Sequence, residues 1–433
     1  MNLSASYTPL AAHQLLLFLL QVGLLLGIAL VLGRLALRLG MPALVGELTA
    51  GVLLGPSLLG NLAPSVSHLL MLQDSEQRHL VDAVGQIGVL LLVGVTGSQL
   101  DLSLLRRRPG TALWVSGSGL LVPLAGGLAL GALLPGSALA DPGQRPVFML
   151  FLGVAMAVSA IPVIAKTLLE MRLLHRDIGQ LIIGAAVLDD IVGWLLLSVA
   201  SAMATTGWHG PDLALSVGLL VALIGLSLTV GRALLRPALR YLDRRDEPGL
   251  DTAFCVVVVV LLAALTHALK MEPVVGAFLG GMLLGSTGML NHRRLVPLRT
   301  VVLAVLAPLF FATVGLQMNL TLLAKPSVLL VALVVLAVAI GGKFIGAYAG
   351  ARIARLSHWE GLAVGAGLNA RGVIEIIVAT VGLRLGVLTP AMFTVIVLVA
   401  LVTSLMAPVL LRRTVRHIPI TTEDRVREQT LAV

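Results

Sequence analysis

Residues 184–194 read GAAVLDDIVGW, two adjacent aspartates inside a stretch that is otherwise apolar. Asp189 and Asp190 follow Asp177 by twelve and thirteen positions, or about 18 to 20 Å along a helix that rises about 1.5 Å per residue. If Asp177 marks the edge of a membrane span, that depth is near the centre of a bilayer. A charge there costs on the order of 3 kcal/mol by insertion scales. Packing does not repay such a cost, and Asn or Ser would avoid it if hydrogen bonding were the whole role. Adjacent helical residues point about 100° apart. One carboxylate can therefore face a cation in a wet cavity while the other faces a partner helix; a buried, hydrogen-bonded pair is the plainer alternative.

The rest of the chain explains why depth is the right measure. Of its 433 residues, 58% are hydrophobic and 12% charged, against about 25% charged in soluble domains, and the mean hydropathy is +1.02. Apolar runs near the roughly 20 residues that cross a bilayer recur almost end to end, which excludes a large water-soluble domain between them. The first 33 residues hold no Lys or Arg, so the first apolar run reads as a permanent span rather than a cleaved signal. Cys255 is the single cysteine, which excludes an internal disulfide framework. The net charge of +9 fits a positive-inside bias better than a nucleic-acid partner.

Hydropathy, punctuated by Pro, Gly and charge, predicts thirteen helices, near 14–37, 42–60, 80–99, 111–135, 146–170, 178–204, 212–238, 250–270, 272–288, 296–317, 327–351, 358–381 and 390–411. Sorted by the alternate sides this count implies, 23 of the 30 Lys and Arg residues fall on one side and five, Arg78, Arg145, Lys270, Lys325 and Arg384, on the other. The basic side is cytoplasmic, which places the N-terminus outside and the C-terminus inside. The remaining two, Lys343 and Arg371, fall within predicted helices.

The seventh helix, with the most basic loop, lies at 205–249 between two six-helix halves. An odd linker helix gives those halves opposite orientation, the inverted-repeat plan of many secondary transporters, whose sites form where helices break near the midplane. Corresponding helices five and twelve carry such interruptions, AVSAIPVIAK with Pro162 and GLNARGVIE with Gly372. Pro removes a helical hydrogen bond and Gly relaxes the backbone, so freed carbonyls and half-helix ends can face an ion; simple kinks are the alternative. The fold class expected is thus an all-α polytopic membrane protein of about 13 transmembrane helices, arranged as two six-helix inverted repeats with discontinuous helices.

Lys343, in AIGGKFIGAY, is the natural partner for one aspartate, because Lys yields its proton far more readily than Arg when desolvated. A snorkelling lysine is the alternative, although the charged end at Arg352 lies nine residues away. Arg371 and Glu375, four apart, can pair on one helix face, as a structural ion pair or in transport. Glu47 reads as structural. The nine histidines show no metal-ligand spacing, so neither a catalytic metal nor another cofactor is expected, and the chain reads as a transporter rather than an enzyme. Two membrane aspartates with Pro42, Ala43 and Leu44 would suit an intramembrane protease, but that chemistry needs facing carboxylates from different helices. A sodium-coupled organic-solute symporter of the same architecture remains the alternative function, and a channel would need no proton coupling.

Seven segments in order, MPALVGELTAGVLLGPSLLG, AVSAIPVIAKTLLEM, GAAVLDDIVGW, EPVVGAFLGGMLLG, APLFFATVGLQMNL, GGKFIGAYAGAR and LNARGVIEIIVATVGLRLGVLTPAMFTVIVLVALVT, resemble the monovalent cation:proton antiporter family over about 40–411. The resemblance implies exchange of Na+, foremost, or K+ for protons by alternating access, electrogenic, in a bacterial cell membrane. It also implies a homodimer, with a panel (1–110 and 250–325) and a moving core (111–204 and 326–411), joined by the linker helix at 205–249 and followed by a short cytoplasmic tail, 412–433. The broken helices are expected to cross, with Pro162, Asn369, Arg371, Gly372 and Glu375 at the crossing. By position Asp190 matches the cation- and proton-carrying aspartate, Asp189 the preceding place where electrogenic members have Asp, Lys343 the basic partner and Ser159 a hydroxyl ligand. Gln99 departs from the acidic pattern usual in the third span. The short tail implies no nucleotide-binding domain, and the expected partners are the transported ions and the lipid bilayer.

Overall fold

Apolar runs become helices, two of them broken beside Pro162 and at Gly372, while Pro123, Pro237 and Pro408 lie inside continuous helices. A computed structural model of the chain describes residues 12–69, 75–98, 109–171, 173, 176–206, 218, 222–244, 249–269, 271–287 and 295–419. In chain order the helices are α1 (Ala12–Arg38), α2 (Ala43–Leu54), α3 (Ser75–Ser98), α4 (Pro109–Leu133), α5 (Arg145–Ala157), α6 (Ile161–Glu170), α7 (Asp177–Thr206), α8 (Arg232–Arg244), α9 (Leu250–Ala268), α10 (Pro273–Ser286), α11 (Val296–Gln317), α12 (Pro326–Ile353), α13 (His358–Leu368), α14 (Val373–Arg384) and α15 (Pro390–Val415). Among the described residues the only β contact is an isolated bridge between Leu139 and Leu388.

The chain is a multi-span membrane protein. Ten helices among the described residues are long and apolar enough to cross a bilayer, and α13 with α14, bent by 44° at their break, makes eleven. The expected count of thirteen is not reached by continuous helices. α5 and α6 have 13 and 10 residues and α10 has 14, all short of the about 20 a straight span needs. Gln99 and much of the basic tally (Arg106 to Arg108, Arg172, Arg245, Lys270, Arg293, Arg294, Arg425 and Arg427) lie outside the described residues, as do parts of the linker and of the tail.

The chain divides into two compact units, residues 1–92 with 300–319 and residues 93–299 with 320–433. In the first, Leu25 and Ala29 of α1, Ala50 of α2, Val81 of α3 and Leu309 and Ala312 of α11 share one apolar core. α2 lies against α11 so closely that a Cβ on Gly51 would sit 1.9 Å from the Ala312 carbonyl oxygen. Only glycine permits that approach.

The second unit holds every charged residue of the GAAVLDDIVGW helix and its neighbours. Val115 of α4, Ala160, Ile164 and Leu168 around and in α6, Ile182 and Ala186 of α7, Ala347 of α12, Leu368 of α13 and Ala407 of α15 form its core. On α12 the buried residues are Ala332, Val335, Ala339, Lys343, Gly346, Ala347, Gly350 and Ala351, a stripe at helical spacing. The opposite face exposes Leu329, Leu330, Leu333 and Ile345. That stripe is made of small residues apart from Val335 and Lys343, and it carries the lysine inward.

Candidate ion-binding site

The site begins at two breaks. α5 ends at Ala157, residues 158–160 run without helical structure, and α6 starts at Ile161; Pro162 is the second residue of α6. α13 ends at Leu368, and Asn369, Ala370, Arg371 and Gly372 intervene before α14. The backbones of the two breaks bond directly: the Ala160 N–H donates to the Ala370 carbonyl at 2.9 Å. Ser159 Oγ, 2.7 Å from the Leu368 carbonyl, adds a second tie. The last carbonyls of α5 and α13 and the first turns of α6 and α14 therefore converge on one place, where partial charges of both signs are left over from helix termini.

Two cations reach the carbonyl end of α5. Lys343 Nζ donates to the Ala157 carbonyl at 2.6 Å. Arg371 forks, Nη1 to the Ala155 carbonyl and Nη2 to the Ala339 carbonyl, each at 2.8 Å. Its contact with Glu375 is looser, Nη1 to Oε1 at 3.7 Å. Glu375, in the first turn of α14, stands where a negative charge complements a helix N-terminus. The Arg371 carbonyl accepts from Ser404 Oγ of α15.

The two aspartates differ completely. Asp189 is saturated: its Oδ1 accepts from Ser116 Oγ of α4 at 2.7 Å, and its Oδ2 lies 2.8 Å from Ser159 Oγ and 2.6 Å from Lys343 Nζ. Both Lys343 and Asp189 are fully buried. Asp190 is equally buried, yet neither of its carboxylate oxygens has a hydrogen-bond partner. Asn369, in the second break, is also buried with both side-chain polar atoms unpartnered. Such groups are rare in folded proteins, and each calls for an explanation such as an ion or water.

Asp189, Asp190, Lys343, Arg371 and Glu375, all buried here, are three acids and two bases. With every group ionised the cluster carries one net negative charge, which a single proton or a single monovalent cation balances. The expected residues Ser159, Asn369, Arg371 and Gly372 lie at or beside the two breaks, and Asp189 and Lys343 join them. Sequence reasoning missed Ser116, one of two serines in the WVSGSG run of α4, and Ser404, one hydroxyl among several in α15. No periodicity distinguishes either from the serines that bond their own helix.

A family profile described as "Sodium/hydrogen exchanger, transmembrane" matches residues 25–417. The chain belongs to the sodium/hydrogen exchanger family. It is 32% identical over 397 residues to the Na(+)/H(+) antiporter NhaS4 of Synechocystis sp., a match covering 91% of this chain and 96% of that protein. It is 26% identical to the Na(+)/H(+)-K(+) antiporter GerN of Bacillus cereus, covering 92% and 96%. With Cation/H(+) antiporter 20 of Arabidopsis thaliana it shares 28% identity across 90% of this chain but only 47% of that protein, so the chain spans about half of that plant relative. In fold it is similar to the sodium proton antiporter MjNhaP1 of Methanocaldococcus jannaschii, with a TM-score of 0.67 at 17% identity, covering 93% and 97%. The antiporter-family resemblance read from the seven segments is therefore borne out, and the symporter alternative is not supported.

Proposed function

We propose that this member of the family exchanges a monovalent cation, Na+ or K+, for protons, with Asp190 as the carrier. The observation that carries the proposal is the bare carboxylate of Asp190, buried beside a saturated twin. A buried charge with no partner is too costly to persist. Asp190 must hold either a proton or a cation, and because both occupy the same oxygens they exclude one another. Alternating exposure of that one carboxylate to the two sides of the membrane then couples the fluxes without further machinery. Ser159, with the break carbonyls and Asn369, supplies neutral oxygen ligands suited to a hard monovalent ion.

Asp189 and Lys343 take the second role. An arriving cation draws Asp189 from Lys343, and the lysine, no longer paired, releases its proton; two protons then move per cation and exchange is electrogenic. The names of NhaS4 and GerN support Na+ first and K+ second. The inferred arrangement has spans one to three and eight to ten as a dimer-forming panel, and spans four to six and eleven to thirteen as the core that moves, in a bacterial cell membrane with the C-terminus cytoplasmic. The test is cation-driven proton movement in proteoliposomes with an imposed membrane potential. The wild type responds to Na+ or K+ and to voltage, and Asp190→Asn, which keeps the shape but not the charge, gives none. Exchange retained in Asp190→Asn sinks the assignment of the carrier, and voltage-insensitive wild-type exchange sinks the second proton.

A further inference from the structure

One ion pair stands apart from the exchange site. Glu272, the residue just before α10, and Arg384, the last residue of α14, meet with Nη2 to Oε2 at 2.6 Å. They are 112 positions apart in the chain and unequal in surroundings, with 7% of the Glu272 side chain exposed and 42% of that of Arg384. A carboxylate so buried depends on a cation facing it. Arg384 supplies that cation from the rim, where water can take it back. The chemistry at Asp190 leaves the pair without a role, and its place in the fold suggests one. α14 begins at the second break, beside Asn369 and Gly372, and runs twelve residues, or about 18 Å, to Arg384. α10 begins at Glu272 and packs on the helix of the aspartates: the rings of Phe278 and Trp194 lie 5.6 Å apart, both buried. Trp194 is four residues, about one turn, beyond Asp190. α10 therefore touches the carrier's helix close to the carrier and touches the far end of α14 through Glu272.

We propose that Glu272 and Arg384 form a latch that holds the outer side of the exchange site shut. The inference rests on the reading above, in which α10 belongs to the panel, α14 belongs to the moving core, and the side that carries Arg384 is the outside. Opening the site outward then requires the outer end of α14 to part from α10, and parting them takes Arg384 off Glu272. The carboxylate exchanges its ion pair for water that enters the seam. The latch is thus present in one access state and absent in the other, so its strength sets how often the outer side opens. It acts on the equilibrium between states and leaves the ligands of the ion as they are.

The experiment measures the apparent KM for Na+ and for K+ at each face, in right-side-out and everted membrane vesicles, for wild type, Glu272→Gln, Arg384→Gln and Lys325→Gln. Lys325, exposed just before α12, controls for the loss of a positive charge on the same side. The apparent KM at the outer face varies inversely with the fraction of molecules open to that face. Glu272→Gln and Arg384→Gln are therefore expected to lower it by about three- to tenfold, while the KM at the cytoplasmic face stays the same or rises. Lys325→Gln leaves both at wild type. An outer KM that is unchanged or raised in the folded variants overturns the proposal, as does an equal fall in Lys325→Gln. Should Glu272→Gln fail to fold, Arg384→Gln, altered at a half-exposed side chain, decides alone. A second arm joins Glu272→Cys to Arg384→Cys with a short bis-methanethiosulfonate; Cys255, the other cysteine, is buried. Cross-linking should stop exchange and dithiothreitol should restore it, and full exchange by the cross-linked protein overturns the latch. Asp190→Asn run alongside separates the failures. If it still exchanges, the site reading falls; if it is inactive while the Glu272 and Arg384 variants match wild type, only the latch falls.

Discussion

At the scale of single residues, the doubled aspartate is an arrangement of opposites. Asp189 and Asp190 share burial, helix and charge, and differ only in direction around the helix, about 100°. That rotation gives one carboxylate three donors and the other none. Removing one member of a fully buried pair strands the other, at a cost of about 3 kcal/mol or more, whereas removing both charges together is far milder. Lys343→Met should therefore lower the thermal stability of the purified protein sharply. The double variant Lys343→Met with Asp189→Asn should recover most of the loss, measured as the melting midpoint of the detergent-solubilised protein. A single variant as stable as wild type would show that Asp189 is not charged in the resting state. The pairing partner was legible in the sequence, because a lysine inside an apolar helix of an Arg-rich chain stands out. The third donor was not, because a serine in a membrane helix usually satisfies itself on its own backbone.

At the scale of elements, α12 shows how a charged residue is carried to a fixed point. Its buried stripe of mostly small residues lets α4 approach until a Cβ on Gly346 would lie 2.4 Å from the Ser118 carbonyl oxygen. Gly346 is three residues from Lys343, on the same face. Gly346→Ala must push the two helices apart, moving Nζ away from Asp189 and from the Ala157 carbonyl together. The expected outcome is a loss of at least tenfold in exchange rate with a protein that still inserts, whereas Gly341→Ala, where an added Cβ meets nothing within 4 Å, should behave as wild type. Equal rates in the two variants would show that the close approach does not position the lysine. The helix breaks belong to this scale too. Pro162 and Gly372 mark them in the sequence to within four residues, because Pro and Gly are the residues that release backbone groups. That the Ala160 amide would bond the Ala370 carbonyl, 210 positions away, is written in neither segment. The same holds for Arg371. Its spacing from Glu375 suggests an ion pair within one turn, but the guanidinium is drawn to two carbonyls, Ala155 near the C-terminal end of α5 and Ala339 in the middle of α12.

At the scale of the whole molecule, long apolar helices with exposed apolar side chains make the chain a membrane protein. The proposed orientation, with the C-terminus cytoplasmic, rests on 23 of the 30 basic residues lying on one side of the thirteen helices expected from the sequence, and it can be tested directly. Cys255 is buried and should be silent toward impermeant thiol reagents. Ser137, after α4, and Arg413, near the end of α15, are both exposed. In right-side-out vesicles Ser137→Cys should be labelled and Arg413→Cys protected, and everted vesicles should reverse the pattern. Labelling of both variants from one side would mean that the helix count is wrong by one.

The sequence alone determined that this chain lives in a bilayer, that it is helical, where two of its helices break, and that Asp189, Asp190, Lys343, Arg371 and Glu375 lie within apolar helices, though not that Arg176 and Glu272 are buried too. Those properties depend on hydropathy, on Pro and Gly, and on the energy of a charge in an apolar medium, all of which are local. It also carried enough ordered motifs for the family to be read. Which aspartate is bare and which is held, and the serine that makes the difference, were decided only by the tertiary structure. The identity of a side chain's partner depends on which helix packs against its face, and that choice is made by close approach between segments far apart in the chain.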